Sequence, residues 1–221
     1  MGKSSKKCKE NRQQRKEEIA KIAKTQGILN AAKKQDDPMA NLQPFSKFSK
    51  DGLDVTISFS KVDDLDEIAK EKVLDLMRTN MKETYESCDW GWNEKEKYDE
   101  LFDEDARYIL AKGDDGSLVA FSHFRFDFDE GRPVLYCYEL QLSETARRKG
   151  LGRRMMQILE MFAWQANMER VVLTILKNNP GAKSFFLSMK YELDETNPED
   201  DDEETFCYEI LSKQRKIKTV E

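Results

Sequence analysis

Apolar and polar positions change period several times along the chain, and each change marks an element. Residues 53–61, LDVTISFSK, alternate around β-branched side chains and predict a first strand. Over 65–85 the period lengthens. Leu65, Ile68, Val73, Leu76 and Met77 recur near every 3.6 residues, an amphipathic helix capped by Asp63 and Asp64. Asn93 with Glu96 forms a capping box that opens a short helix through about Phe102. Residues 106–112 and 117–127 read as strands joined by the hairpin turn Gly113-Asp114-Asp115-Gly116. Gly131-Arg132-Pro133 turns the chain into an apolar-rich strand, 134–142. Leu151, Met155, Ile158, Leu159 and Phe162 then form a helical stripe, and 171–177 is a strand. Strand, helix, strand implies a parallel pair within an otherwise antiparallel sheet. Pro180 suits the first turn of another helix, and strands are predicted at 191–195 and 206–211. Ahead of these elements, Asp36-Asp37-Pro38 and Pro44 bracket a linker. Residues 12–34 are helix-friendly, with Gly27 weakening the middle.

Composition changes this picture little. Residues are 38% hydrophobic and 36% charged over 221 positions, enough for one core with long solvated segments. No apolar run is long enough to span a bilayer, and the polar N-terminus predicts no secretory signal. Met1-Gly2 is a poor myristoylation start because Lys6 stands where Ser or Thr is wanted. Cys8, Cys88, Cys137 and Cys207 lie far apart in sequence, which favours free thiols in a reducing compartment. A single histidine, His123, leaves little material for a metal site, and a structural role on its strand is expected for it.

Charge changes it more. The net charge of −6 conceals a basic first 24 residues, with nine of the 37 Lys/Arg and three of the 43 Asp/Glu, so the rest carries −12. The basic arm is open to three readings: nuclear import, nucleic-acid contact, or solvated disorder, which composition favours. Residues 194–204, DETNPEDDDEE, hold eight acids. They read as a solvated segment or as a device that steers a cationic partner.

The candidate chemistry starts at Arg147-Arg148-Lys149-Gly150-Leu151-Gly152, a basic glycine-bearing turn between the 134–142 strand and the next helix. The unpartnered amides of a helix N-terminus form an anion site, and glycine lets the anion approach. Asn179-Pro180-Gly181-Ala182-Lys183-Ser184-Phe185-Phe186 follows the next strand. In this order and spacing, the two motifs resemble those of the GNAT acyltransferases. Trp90-Gly91-Trp92, Ala120-Phe121-Ser122-His123-Phe124-Arg125-Phe126-Asp127 and Tyr136-Cys137-Tyr138-Glu139 are similar, more narrowly, to the N-terminal acetyltransferase D family (NatD), from about Pro44 to Ser212.

That resemblance implies an α/β GNAT fold: a mixed, mostly antiparallel sheet flanked by helices. It also implies a helical extension over 1–43, a catalytic domain over 44–212 and a basic tail over 213–221. It implies acetyl-CoA as cosubstrate, with the pyrophosphate on the amides of Arg148, Lys149, Gly150, Leu151, Gly152 and Arg153. Pantetheine would lie along the backbone of Leu140, Gln141 and Leu142, with Asn179 near the thioester. A core role for Leu140 and Leu142 fits the alternation equally well. The implied acceptor is the α-amino group of histone tails of the four and two-A types, which begin Ser-Gly-Arg-Gly. Glu139 is the candidate base, directly or through a water, and Tyr85 and Tyr138 position the first residue. Simple alternation leaves Glu139 equally open to being a surface carboxylate opposite the core. Asp127, and more loosely Asp129, would pair the tail's arginine. Trp90 would pack on its backbone or fill the core, and Thr174 and Tyr208 are weaker contacts. Phe185 and Phe186 stand where such enzymes often carry a tyrosine acid for the departing thiolate. The resemblance also implies a monomer of cytoplasm and nucleus, with no membrane partner and no need for nucleic acid. Rival readings are a lysine or polyamine acetyltransferase and a non-catalytic module binding acyl-CoA or a histone tail.

Overall fold

The computed structural model describes residues 3–215, and the side chains of residues 3–12 and 14 lie outside that description. The Met1-Gly2 start, the Cys8 thiol and the tail beyond Arg215 therefore fall outside the described residues. Helix α1 (Lys3–Lys33) is followed by a hairpin of β1 (Lys47–Lys50) and β2 (Leu53–Lys61). Helices α2 (Glu67–Glu86) and α3 (Glu94–Leu101) come next, then β3 (Arg107–Gly113), β4 (Leu118–Asp129) and β5 (Arg132–Leu142). Helix α4 (Leu151–Gln165), β6 (Arg170–Leu176), α5 (Pro180–Ser188), β7 (Glu192–Leu193) and β8 (Tyr208–Gln214) complete the domain. The strands form one sheet in the order β1-β2-β3-β4-β5-β6-β8-β7. All neighbours are antiparallel except β5 and β6, which α4 connects in parallel. This is the mixed, mostly antiparallel α/β architecture anticipated from the periodicity.

The sheet divides two cores. On one face the α4 stripe of Leu151, Met155, Ile158, Leu159 and Phe162 is fully buried against Phe124, Leu135 and Val171. Burying each such side chain contributes roughly 1.5–3 kcal/mol. Leu29 and Ala32 of α1 join this face. Arg107 donates to the Lys33 carbonyl at the helix end, and Lys33 pairs with Asp105 at 2.5 Å. On the other face, Val73 and Met77 of α2 and Leu101 of α3 pack on Tyr108, Leu110 and Phe121.

Three expectations need correction, and one strand lies outside those predicted. The arm is helical from Lys3, so the disorder favoured by composition does not describe residues 3–24. The linker bracketed by Asp36 and Pro44 is followed by strand β1, which the periodicity did not announce, paired with β2 through an Asp51-Gly52 turn whose two residues both have positive φ. The cap of α2 is Asp66, whose carboxylate accepts from the Ala69 amide, because Val62–Asp64 first forms a 3-10 turn. Strand β8 runs on to Gln214, so the first residues of the expected tail belong to the sheet, and Lys213 pairs with Glu160 at 2.8 Å. Among the described residues, no helix is long and apolar enough to cross a membrane.

Candidate active site

Two irregularities in β5 create the site. The first is a bulge. Phe124 pairs with Cys137 but His123 with Glu139, so Tyr138 is an extra residue. A bulge inverts the alternation that follows it. Tyr136 and Tyr138 therefore share a face with Glu139 and Gln141, while Leu140 and Leu142 pack toward the α4 core. Glu139 is not the surface carboxylate that alternation allowed; it is 6% exposed. The second irregularity is a parting of strands. The parallel ladder joins residues 134–137 to 170–173 and stops. Beyond it β5 stays with β4 and β6 with β8. One edge of residues 138–142 is thus left without a strand partner, and a groove of about 1090 Å³ opens between the strands.

One end of the groove is an anion cradle. Helices α2, α3 and α5 are capped by their own Asp66, Asn93 and Asn179. Helix α4 has no side-chain cap and no acid in its first turn, and its N-cap Gly150 has φ +95°. Its first amides are free to meet an anion, and the helix dipole favours negative charge there. Arg148, Gly150, Gly152 and Arg153 line this end. The Leu151 side chain is wholly buried in the core, so only its backbone is available, and Lys149 does not reach the groove wall. Arg147 braces the turn by donating to the Leu142 carbonyl and to Asn80 Oδ1. A Cβ on Gly152 would sit 3.4 Å from Phe185 and 3.6 Å from Leu142. The residues present thus fit a pyrophosphate-bearing cosubstrate. Asn179 lines the groove too; its Oδ1 accepts from the Ala182 amide, which leaves its amide nitrogen and one Oδ1 lone pair for a ligand.

The other end carries the carboxylates and aromatics. Glu139 Oε2 accepts from Gln141 Nε2 at 2.8 Å, and Gln141 Oε1 accepts from Asn80 of α2 at 3.0 Å. Burial raises the Glu139 carboxyl above the usual range, opposed chiefly by the Lys97 ammonium, whose Nζ lies 3.5 Å from Oε1. Tyr85 is pushed well above an ordinary phenol by burial and by the Glu139 charge, so it stays protonated and able to donate. Tyr138 is raised by burial and stacks on His123 at 4.9 Å, with the Arg125 guanidinium 4.5 Å from its ring centre. Trp90 does not fill the core. It is 48% exposed and lies 5.9 Å from Tyr85 and 5.1 Å from Tyr208, ring centre to ring centre. Thr174 shares a hydrogen bond with the Tyr136 hydroxyl. His123 is fully buried, and desolvation holds its imidazole far below the usual range, so it is neutral and structural.

The two aspartates separate. Asp127 accepts only its neighbour's amide, Phe128 N–H, and among the described residues has no cationic partner. Asp129 is taken by Arg170, which also holds buried Asp194 at 2.9 Å, so it is not free to bind an arginine as expected. That clamp anchors the start of the acidic 194–204 segment. Asp200 adds a pair with Lys177 at 2.5 Å, so the segment is tied at several points. Burial, and then the nearby Cys88 thiol, raise the Cys207 thiol above its ordinary value. Sequence reasoning missed Lys97, Glu100 and Asn80. The available signal was Lys97 four residues before Leu101, on the buried stripe of α3.

Solved structures with this fold include the PaiA N-acetyltransferase of Thermoplasma acidophilum in complex with coenzyme A. It is 15% identical, with a TM-score of 0.53 over 72% of this chain and 99% of that one. Arabidopsis thaliana NAA60 with a bisubstrate analogue is 13% identical, with a TM-score of 0.52 over 72% and 98%. Arabidopsis thaliana Naa50 with CoA-Ac-MVNAL is 18% identical, with a TM-score of 0.50 over 72% and 99%. At these identities the likeness concerns the fold. The sequence itself matches the model of the acetyltransferase (GNAT) family over residues 74–191, more than half the chain. An uncapped, acid-free helix end at a parting of β5 and β6 is thus explained: the chain belongs to the acetyltransferase (GNAT) family, and acetyl-CoA is its cosubstrate.

Proposed function

We propose that the protein acetylates the α-amino group of polypeptide chains, and that its acceptors are histone tails of the four and two-A types beginning Ser-Gly-Arg-Gly. The observation that carries this reading is the buried Glu139 carboxylate at the β5 bulge, set among Tyr85, Tyr138 and Trp90 in the groove that begins at the anion cradle. NAA60 and Naa50, which share the fold, were solved with bisubstrate analogues, and that of Naa50 carries the peptide MVNAL.

Acetyl-CoA supplies an activated acetyl thioester: the amine nitrogen bonds to the acetyl carbon as the carbon–sulfur bond breaks, one amine proton is lost, and CoA leaves as a thiolate that takes up a proton from water. Glu139 accepts the amine proton, directly or through a water. An α-amino group has a pKa near ~8, so placement beside a modest base suffices, whereas a lysine at ~10.4 asks for more. The Tyr85 hydroxyl and the Tyr138 ring fix the first residue, and Trp90, backed by Tyr208, walls the groove. The unpaired Asp127 receives the arginine at the third position, and the acidic 194–204 segment steers the basic tail toward a nuclear or cytoplasmic enzyme.

The deciding experiment measures CoA release with two Ser-Gly-Arg-Gly peptides, identical except that one has a blocked α-amino group. Turnover is expected only on the free terminus. Equal turnover on both moves the acceptor to a lysine and overturns the reading. Asp127→Asn is expected to raise KM for the Ser-Gly-Arg-Gly peptide about tenfold, roughly 1.4 kcal/mol, with kcat nearly unchanged. A Ser-Gly-Ala-Gly peptide should not respond to the substitution. An equal response by both peptides would remove Asp127 from arginine recognition.

A further inference from the structure

Helix α3 buries two side chains, Leu101 and Lys97. A lysine on the inner stripe of a short helix is costly unless its charge is matched. Here Lys97 Nζ lies 2.8 Å from Glu100 Oε1, 3.1 Å from the Tyr85 hydroxyl and 3.5 Å from Glu139 Oε1. It also sits 4.7 Å from the centre of the Tyr85 ring. One ammonium therefore links the two residues to which the proposed chemistry assigns the proton and the acceptor's orientation.

Donor and acceptor rules give this arrangement a direction. An ammonium only donates, so the Tyr85 oxygen accepts from Lys97 and must send its own proton elsewhere. Glu139 receives Gln141 on Oε2 and Lys97 on Oε1, which fixes the carboxylate plane and favours its ionised form. We propose that Lys97 is a positioning residue for acetyl transfer: it holds Glu139 as a carboxylate in a site whose burial disfavours charge, and it turns the Tyr85 hydroxyl into a donor facing the groove. This rests on the reading of Glu139 as the base.

The groups around Glu139 fix the expected sign. Lys97 and Glu100 face it from α3, Tyr85 from α2, Tyr108 from β3, Cys137 from β5 and neutral His123 from β4. Arg125 is the nearby β4 cation but is directed to His123 and to the Glu100 carbonyl. Burial raises the Glu139 carboxyl, Lys97 lowers it and Glu100 raises it. With Lys97 gone, only the Gln141 hydrogen bond still opposes burial and Glu100, so Glu139 takes up its proton at higher pH. Activity lost at neutral pH should then return as the pH rises.

The test compares wild type, Lys97→Met, Lys97→Gln and Lys97→Arg. One arm records kcat against pH at saturating acetyl-CoA and Ser-Gly-Arg-Gly peptide. In Met and Gln variants the acid limb is expected to move up by about one pH unit or more, with kcat at pH 7 falling about tenfold. KM for acetyl-CoA should stay within about twofold, since the cradle is at the far end of the groove, and Lys97→Arg should keep the limb near its wild-type position. The second arm follows the Glu139 carboxyl by carbon-13 NMR with labelled glutamate, the signal assigned by its absence in Glu139→Gln. Its titration should move upward in the Met and Gln variants. A carboxyl titrating at the same pH with and without Lys97, or a lower kcat with an unmoved acid limb, overturns the proposal. The NMR arm needs no turnover. A wild-type enzyme that fails to use the peptide would count against the α-amino reading, while Lys97 would still be judged by the carboxyl titration.

Discussion

Glu139→Gln is expected to lower kcat on a free-terminus peptide by about 10²–10³-fold while changing acetyl-CoA affinity by less than about twofold, because a positioned general base contributes on this scale. Glutamine keeps the shape and can still accept from Gln141, but it cannot take a proton. The carboxyl lies beside Lys97, Gln141 and Tyr85, whereas the proposed pyrophosphate cradle is the first turn of α4. The pH profile gives an independent reading of the same residue. Burial raises the Glu139 carboxyl, so wild-type kcat should fall as the pH drops through a value above that of an ordinary glutamate. In Glu139→Gln this acid limb should disappear. Folding should survive, since the substitution removes a charge that burial penalises and leaves Lys97 paired with Glu100 at 2.8 Å. Stopped-flow CoA release and calorimetric titration with acetyl-CoA separate the two constants. Weakened cofactor binding with undiminished turnover would remove Glu139 from the base role.

The same residue marks how far the sequence could be read. The period-3.6 stripe of α4 and the turn at Arg147–Gly152 were legible because each depends on local pattern alone, and both lie where they were expected. The face of Glu139 was not, because strict alternation carries a phase and the bulge at Tyr138 shifts it by one. Nothing in Tyr-Cys-Tyr-Glu says which residue is the extra one; its place emerges only in register with His123 and Phe124 of the neighbouring strand. Lys97 was hidden for a related reason. In a run such as Asn-Glu-Lys-Glu-Lys, charges read as a solvated face, and only the packing of α3 on Tyr108 and Phe121 turns one lysine inward. Asp129 looked available because its partner Arg170 is forty-one residues away in sequence. Pairing across such a distance is a property of the fold, and it left Asp127, two residues earlier, as the open carboxylate.

Gly152→Val should weaken acetyl-CoA binding by about 100-fold, roughly 2.7 kcal/mol, the largest effect expected from a residue that carries no side chain. The reason is the construction of the cradle. Gly152 stands in the first turn of α4, where amides lack helical partners and no side chain caps them. It also faces Phe185 of α5 and Leu142 at the end of β5, with 3.4 Å and 3.6 Å already separating those side chains from an added Cβ. A Cβ alone therefore just fits, and Gly152→Ala should cost only a few-fold. The two further methyls of valine have only the groove itself to occupy, and they stand between the amides and the anion they would bind. Because φ at Gly152 is not left-handed, the substitution adds no backbone strain of the kind expected at Gly150, whose φ is +95°. Loss of binding at Gly152 can thus be assigned to the space above the amides. Calorimetric titration with acetyl-CoA, run beside thermal unfolding of the free protein, makes the separation. Weak binding with a melting temperature within a few degrees of wild type is the expected result. Wild-type affinity in the valine variant would place the pyrophosphate elsewhere in the groove, away from the α4 amides.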